Sequence, residues 1–183
     1  MAESLEQQRH NLTHAIGECI LAWAKVEQTI ACIFGCTLLS ELFHVTRIFD
    51  SVISFDARRN MVEASLDVLA EQEDSKLTRD HLSKWKKLSD KSRKAYVKRN
   101  EIAHCDLKEL TSQNKVVAVE LLGFSTLTRD FLQAPTLDLK QLRERRNSFI
   151  DLANELWDFL EELERLVKLP PESPSQSPNN NPA

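Results

Sequence analysis

A repeated gap constrains this chain more than any other feature. Leu12, Ile16, Cys19, Trp23, Val26, Ile30 and Ile33 follow one another at alternating intervals of four and three residues. An α-helix turns about 100° per residue, so this spacing collects them on one stripe, whereas a strand would scatter them over two faces. The rhythm returns at near-heptad spacing in Leu139, Leu142, Phe149, Ala153, Leu156, Leu160, Leu163 and Val167. It predicts a last helix from about Asp138 to Lys168, long enough for bundle packing or for a dimer seam.

Three further helices are expected between these two. One covers about Glu41 to Ile53. Ser54 is the expected N-cap of the next, which buries Phe55, Val62, Leu66 and Leu69, and the acidic run Glu71-Gln72-Glu73-Asp74 follows as a solvated connection. Thr78 is the expected cap of a fourth helix that reaches about Cys105 and turns Leu82, Trp85, Leu88, Ala95 and Ile102 inward. From Asp106 to Pro135 the helical period lapses, and the β-branched run from Lys115 to Leu122 reads as a strand, half of a small hairpin. The expected fold is therefore all-α, an up-and-down bundle of about five helices with a small β-hairpin or irregular insertion before the last helix. It fills residues 1–169. The remainder, 170–183, reads PPESPSQSPNNNPA and has too little apolar surface to offset its ordering entropy, so a disordered tail is expected.

Composition narrows the function. A hydrophobic share of 42% over 183 residues suits one domain with an ordinary core. The N-terminus, MAESLEQQRHN, lacks the basic-then-apolar pattern of an export signal. No later stretch is expected to reach the roughly 18 uncharged apolar residues of a membrane span. These features predict a soluble, cytoplasmic protein with no membrane contact. Three of the four cysteines (Cys19, Cys32, Cys36) fall in the first helical pattern, with Cys105 distant, which suits packed thiols better than a disulfide framework. A net charge of −4 argues against coating nucleic acid by charge alone, so any RNA contact must be local. With only three glycines the chain holds no phosphate-cradling loop, which excludes P-loop and dinucleotide-binding enzymes.

The chemistry concentrates in Arg99-Asn100-Glu101-Ile102-Ala103-His104. On a helix, Asn100 and His104 lie one turn apart beside Arg99, while Glu101 and Ile102 point elsewhere. Arg99 comes four residues after Ala95 and three before Ile102, so it aims along the inward stripe. A cation there needs an anionic partner, and Glu27, one turn after Trp23, or a bound phosphate could supply it. Imidazole can shuttle protons and guanidinium can stabilise charge on phosphoryl oxygens, the minimum for RNA cleavage by a ribose 2′-OH, with no metal or cofactor required. One His cannot easily act as both base and acid, which favours a two-fold dimer.

This string resembles the RNxxAH form of the motif of HEPN domains, all-helical proteins many of which are metal-independent endoribonucleases. The likeness extends to a long first helix with a Trp and a Glu one turn apart, a small insertion after the His and a long final helix. It implies Arg99 and His104 as catalytic residues and Asn100 as a residue orienting the His or the substrate. It also implies a homodimer whose two motifs share a cleft, an RNA substrate, and a role as a bacterial toxin or phage-defence effector with an antitoxin or regulatory protein as a partner. A stripe of Lys84, Lys87, Lys91, Lys94 and Lys98 could track RNA toward Arg99, with Lys91, Lys94 and Lys98 nearest. The alternative is a non-catalytic module of the same fold that binds a nucleotide or a protein partner.

Other features carry less. Arg9 to His14 matches the loose Arg-to-His spacing, but His14 points away from the apolar stripe and the copy is rejected. His10 and His14 lack a third metal ligand, Cys32 and Cys36 lack a second pair, and Cys105 lacks an activating partner. Trp23, Trp85 and Trp157 are expected as core or interface anchors. Arg146, which interrupts the last stripe, is expected to bend into solvent rather than set a dimer register.

Overall fold

Helices α1 (Leu5–Thr37), α2 (Leu42–Ser51), α3 (Phe55–Ala70), α4 (Arg79–Ala103) and α5 (Leu139–Val167) make up most of the fold, with strands β1 (Asp106–Ser112), β2 (Lys115–Leu122) and β3 (Thr136–Leu137) inserted between α4 and α5. This computed structural model describes residues 4–38, 42–112, 115–122 and 136–167; the tail at 170–183 lies outside them. The helix starts are chemically marked. Ser4 accepts from the Gln7 N–H and Ser54 from the Ala57 N–H, each satisfying one of the donors that a first turn leaves open. Thr78 and His81 close the start of α4 reciprocally, and at α5 the Asp138 and Gln141 side chains each accept from the other's backbone N–H at 2.7 and 3.0 Å.

Paired residues reveal the direction of each helix. Trp23 meets Phe55 and Thr37 bonds Ser65, so α1 and α3 run parallel. Phe55 stacks on Tyr96 while Arg59 reaches the Ser89 carbonyl, so α4 runs back. Glu18 with Arg146 and Trp23 with Phe149 set α5 parallel to α1. Phe34 against Phe49 and Gly35 against Val45 send α2 back along the end of α1. The result is the expected up-and-down all-α bundle.

Trp23 is the hub of the core. Its ring lies 5.2 Å from Phe55, 5.9 Å from Tyr96 and 5.5 Å from Phe149, joining four helices at one level. Fully burying one large apolar side chain contributes roughly 1.5–3 kcal/mol, so this cluster is a principal anchor of the bundle. The expected stripes hold for Leu12, Cys19, Val26, Ile30 and Ile33 on α1 and for Phe55, Val62, Leu66 and Leu69 on α3, all buried.

The insertion is larger than a hairpin. β1 pairs antiparallel with β2 from Asp106↔Leu122 to Ser112↔Lys115, with a register shift between Leu110 and Thr111, and β2 pairs with β3 at Leu121↔Leu137. Leu121 and Leu137 are buried, and an Arg9–Glu109 ion pair of 2.9 Å fastens the insertion to α1.

Two expectations need correction. Trp157 is 51% exposed and donates to Glu161, because it sits about 100° round the helix from Leu156, the centre of the α5 stripe. Arg146 does not bend free into solvent: its Nη1 lies 3.0 Å from Glu18 of the same chain. Separately, α1 is long and apolar enough, by length and composition, to cross a membrane, a test that the core helix of a bundle also meets; just over half (56%) of that window is buried inside the fold.

Candidate functional site

The last turn of α4 is fixed from below and from the side. Ile102 is buried and anchors it to the core. The His104 N–H still donates to the Asn100 carbonyl at 3.0 Å, after which the chain leaves the helix at His104 (φ −111°, ψ 14°) and enters β1 two residues later. No glycine or proline ends the helix. The next N–H, that of Cys105, donates to the Ile102 carbonyl at 3.3 Å, and from Asp106 the backbone pairs with Leu122 in the sheet.

On this turn Arg99 and Asn100 are half-buried, and Ala103 and His104 are exposed. Arg99 Nη1 donates to Asn100 Oδ1 at 3.1 Å. The guanidinium Nε is buried without an acceptor, and among the described residues no carboxylate pairs with Arg99. A buried N–H with no partner costs on the order of 1–3 kcal/mol, so the Arg99 Nε is a ready donor to an anion; the Nε of Arg59 and the ring N–H groups of Trp23 and Trp85 are likewise buried without partners among the described residues. The His104 side chain makes no hydrogen bond among the described residues and faces solvent. Arg99 and Asn100 are thus joined directly. His104 stands one turn from Asn100, linked to it through the backbone.

Glu27 is not the partner expected for Arg99. Its Oε1 lies 3.4 Å from Arg58 Nη1, and Arg58 also donates to the Val52 carbonyl at 2.7 Å and lies over the Phe49 ring. Glu27 therefore secures the connection between α2 and α3 to α1. It supports the site only through the frame.

The lysine stripe is divided in the same way. Lys84 pairs with Glu162 and Lys91 with Glu155, so both tie α4 to α5. Lys91 is thereby removed from the residues expected to greet RNA. Lys94 and Lys98 are exposed and lack an ion pair among the described residues. Their charge is available near Arg99.

Glu101 and Arg145 were not singled out by the sequence. Arg145 Nη2 meets Glu101 Oε2 at 2.7 Å, and Nη1 donates to the Lys98 carbonyl at 3.1 Å. The signal was present: Leu142, Arg145, Phe149, Leu152, Leu156, Phe159 and Leu163 follow gaps of three and four, with Arg145 the one charged member of an otherwise apolar series.

The remaining candidates recede. Arg9 is engaged by Glu109, and His14 is exposed beside Glu18 at 3.8 Å. Burial pushes the Cys105 thiol up from its ordinary value, with its Sγ donating to the Ile102 carbonyl, so it is a poor nucleophile. Burial likewise pushes Cys19 up to about 11. Among the described residues no group of three or more His, Cys, Asp or Glu side chains could hold a metal ion. No family model, curated protein or solved structure matches the chain, so its function has to be read from the last turn of α4.

Proposed function

We propose that this chain is a HEPN-like, metal-independent endoribonuclease that works as a homodimer. The observation that carries the reading is the Arg99 guanidinium, which among the described residues bonds only the Asn100 amide and lies about one helical turn from an exposed His104. A scissile phosphate would supply the acceptors that Arg99 lacks, and Asn100 holds the guanidinium plane toward it.

In this reaction the imidazole of one His104 accepts the 2′-OH proton as the oxygen attacks phosphorus. The P–O5′ bond breaks, and the leaving oxygen takes a proton from a second imidazolium, supplied by the partner copy. The products are a 2′,3′-cyclic phosphate and a 5′-hydroxyl. Arg99 stabilises the charge that builds on the non-bridging oxygens. Lys94 and Lys98 hold the RNA backbone beside it. A toxin or phage-defence role under an antitoxin or other regulatory protein, in the cytoplasm, follows from the resemblance of the RNEIAH string.

Incubation with RNA in excess chelator tests the reading. Wild type is expected to leave 2′,3′-cyclic phosphate ends, with His104→Ala and Arg99→Ala each at least about 100-fold slower. Intact RNA with wild type, or equal cleavage by both variants, rejects it.

A further inference from the structure

The last turn of α4 carries the candidate chemistry, and besides buried Ile102 one residue of α5 holds it. α4 ends without a glycine cap: the Asn100 carbonyl accepts from the His104 N–H, and the Ile102 carbonyl from the Cys105 N–H and Sγ. Arg145 reaches across from α5 and adds a side-chain tie to this turn. One guanidinium nitrogen donates to the Lys98 carbonyl at 3.1 Å, and the other closes a 2.7 Å ion pair with Glu101. These two contacts bracket Arg99 and Asn100 in sequence, one immediately before them and one immediately after. Arg145 and Glu101 are both largely sheltered, with side-chain exposures of 18% and 32%, which sets the pair apart from loose surface bridges.

The placement costs the fold something. Arg145 occupies a position where the α5 stripe otherwise places apolar groups, between Leu142 and Phe149, both fully buried. A leucine there would pack against the same end of the core. An arginine can span to the α4 carbonyl and to Glu101 together because its planar fork presents two donors at a fixed angle, which a lysine cannot reproduce.

We infer that Arg145 is a positioning residue: through Glu101 and the Lys98 carbonyl it sets the pitch and rotation of the last turn of α4, and hence the alignment of Arg99 with His104. The inference rests on the nuclease reading for its catalytic consequence, but its geometric part can be measured independently. A misplacement of about 1 Å at a reacting group can cost about 100-fold in rate, so loosening this turn is expected to act on kcat rather than on RNA binding.

The test uses the full chain with Arg145→Gln, Arg145→Lys, Glu101→Gln and the exchanged pair Glu101→Arg/Arg145→Glu. Two readouts are taken: steady-state cleavage of a fluorogenic single-stranded RNA, and amide hydrogen exchange over residues 99–104. Arg145→Gln and Glu101→Gln are expected to lower kcat about 10- to 100-fold with KM within about twofold, and to speed exchange of the Asn100 to His104 amides. Arg145→Lys and the exchanged pair are expected to recover part of both losses.

An unchanged kcat with unchanged protection overturns the inference. So does a loss confined to KM, which would make Arg145 a substrate-binding residue. If Arg145→Gln fails to fold, Glu101→Gln decides by the same criteria. If wild type leaves RNA intact, the nuclease reading fails by itself. Exchange then decides the positioning role, because protection lost in Arg145→Gln and regained in Arg145→Lys upholds it and uniform protection overturns it.

Discussion

Arg99 and Arg145 stand at equivalent positions on two helices, each in a series of inward residues spaced by three and four, and they are treated differently. Arg145 has an acid and a carbonyl at hydrogen-bonding distance, whereas among the described residues Arg99 has one amide oxygen and a buried Nε with no acceptor. A paired cation adds to stability when desolvated with good geometry, and an unpaired one subtracts from it. Arg99→Met should therefore leave the folded state as stable as wild type or more so, by about 1 kcal/mol, while abolishing cleavage. Denaturant unfolding checks this, and a loss of more than about 1 kcal/mol would mean that Arg99 serves the fold. The sequence already set Arg99 on the inward stripe, since that follows from spacing alone. It did not disclose that Glu27 is engaged by Arg58, because partner choice depends on how the connection between α2 and α3 crosses α1, a tertiary matter that no local pattern encodes.

Along whole elements, the contact of α4 with α5 is a ladder of charges. Lys84, Lys91 and Glu101 meet Glu162, Glu155 and Arg145, so steps of seven and ten residues up one helix are matched by equal steps down the other. Such a ladder fixes antiparallel register more than it adds stability, since its two lysine rungs are exposed and worth at most about 1 kcal/mol each. The hydrogen bond from Lys84, with smaller help from His81, holds the Glu162 carboxyl below its usual range. A depressed folded pKa stabilises above the unfolded value, about 4.3 for Glu, and that contribution is lost as pH falls through the folded value. Thermal melts should thus place Glu162→Gln slightly below wild type at pH 7 and level with it well below pH 4; a gap that persists in acid would assign the effect to packing. The five helices and strand β2 were legible because periodicity and β-branched runs are local signals. Strand β3 was not, because two residues carry no period and their pairing with Leu121 and Leu122 is long-range. Trp157 was misplaced because a stripe read from apolar letters alone cannot tell its centre from its flank.

For the molecule as a whole, the arrangement concentrates its stability at the Trp23 level and leaves its chemistry at one end, where α4 gives way to β1. A single chain presents one exposed imidazole there, whereas the proposed reaction calls for a base and an acid. Association about a two-fold axis solves this without any new residue, because each copy brings the group the other lacks. Mixing makes the idea testable. Wild-type subunits are exchanged with His104→Ala subunits at a fixed total concentration. If the two motifs line one shared cleft and each supplies one imidazole, a heterodimer has only one of the two proton carriers and is inactive, so cleavage falls with the square of the wild-type fraction. If each chain acts alone, cleavage falls only in proportion to that fraction. The steeper fall, with heterodimers tracked by differently tagged subunits, is the expected outcome. A proportional fall, or full wild-type activity from a chain that light scattering shows to be monomeric at the assay concentration, would separate the chemistry from assembly and leave His104 to act as both base and acid.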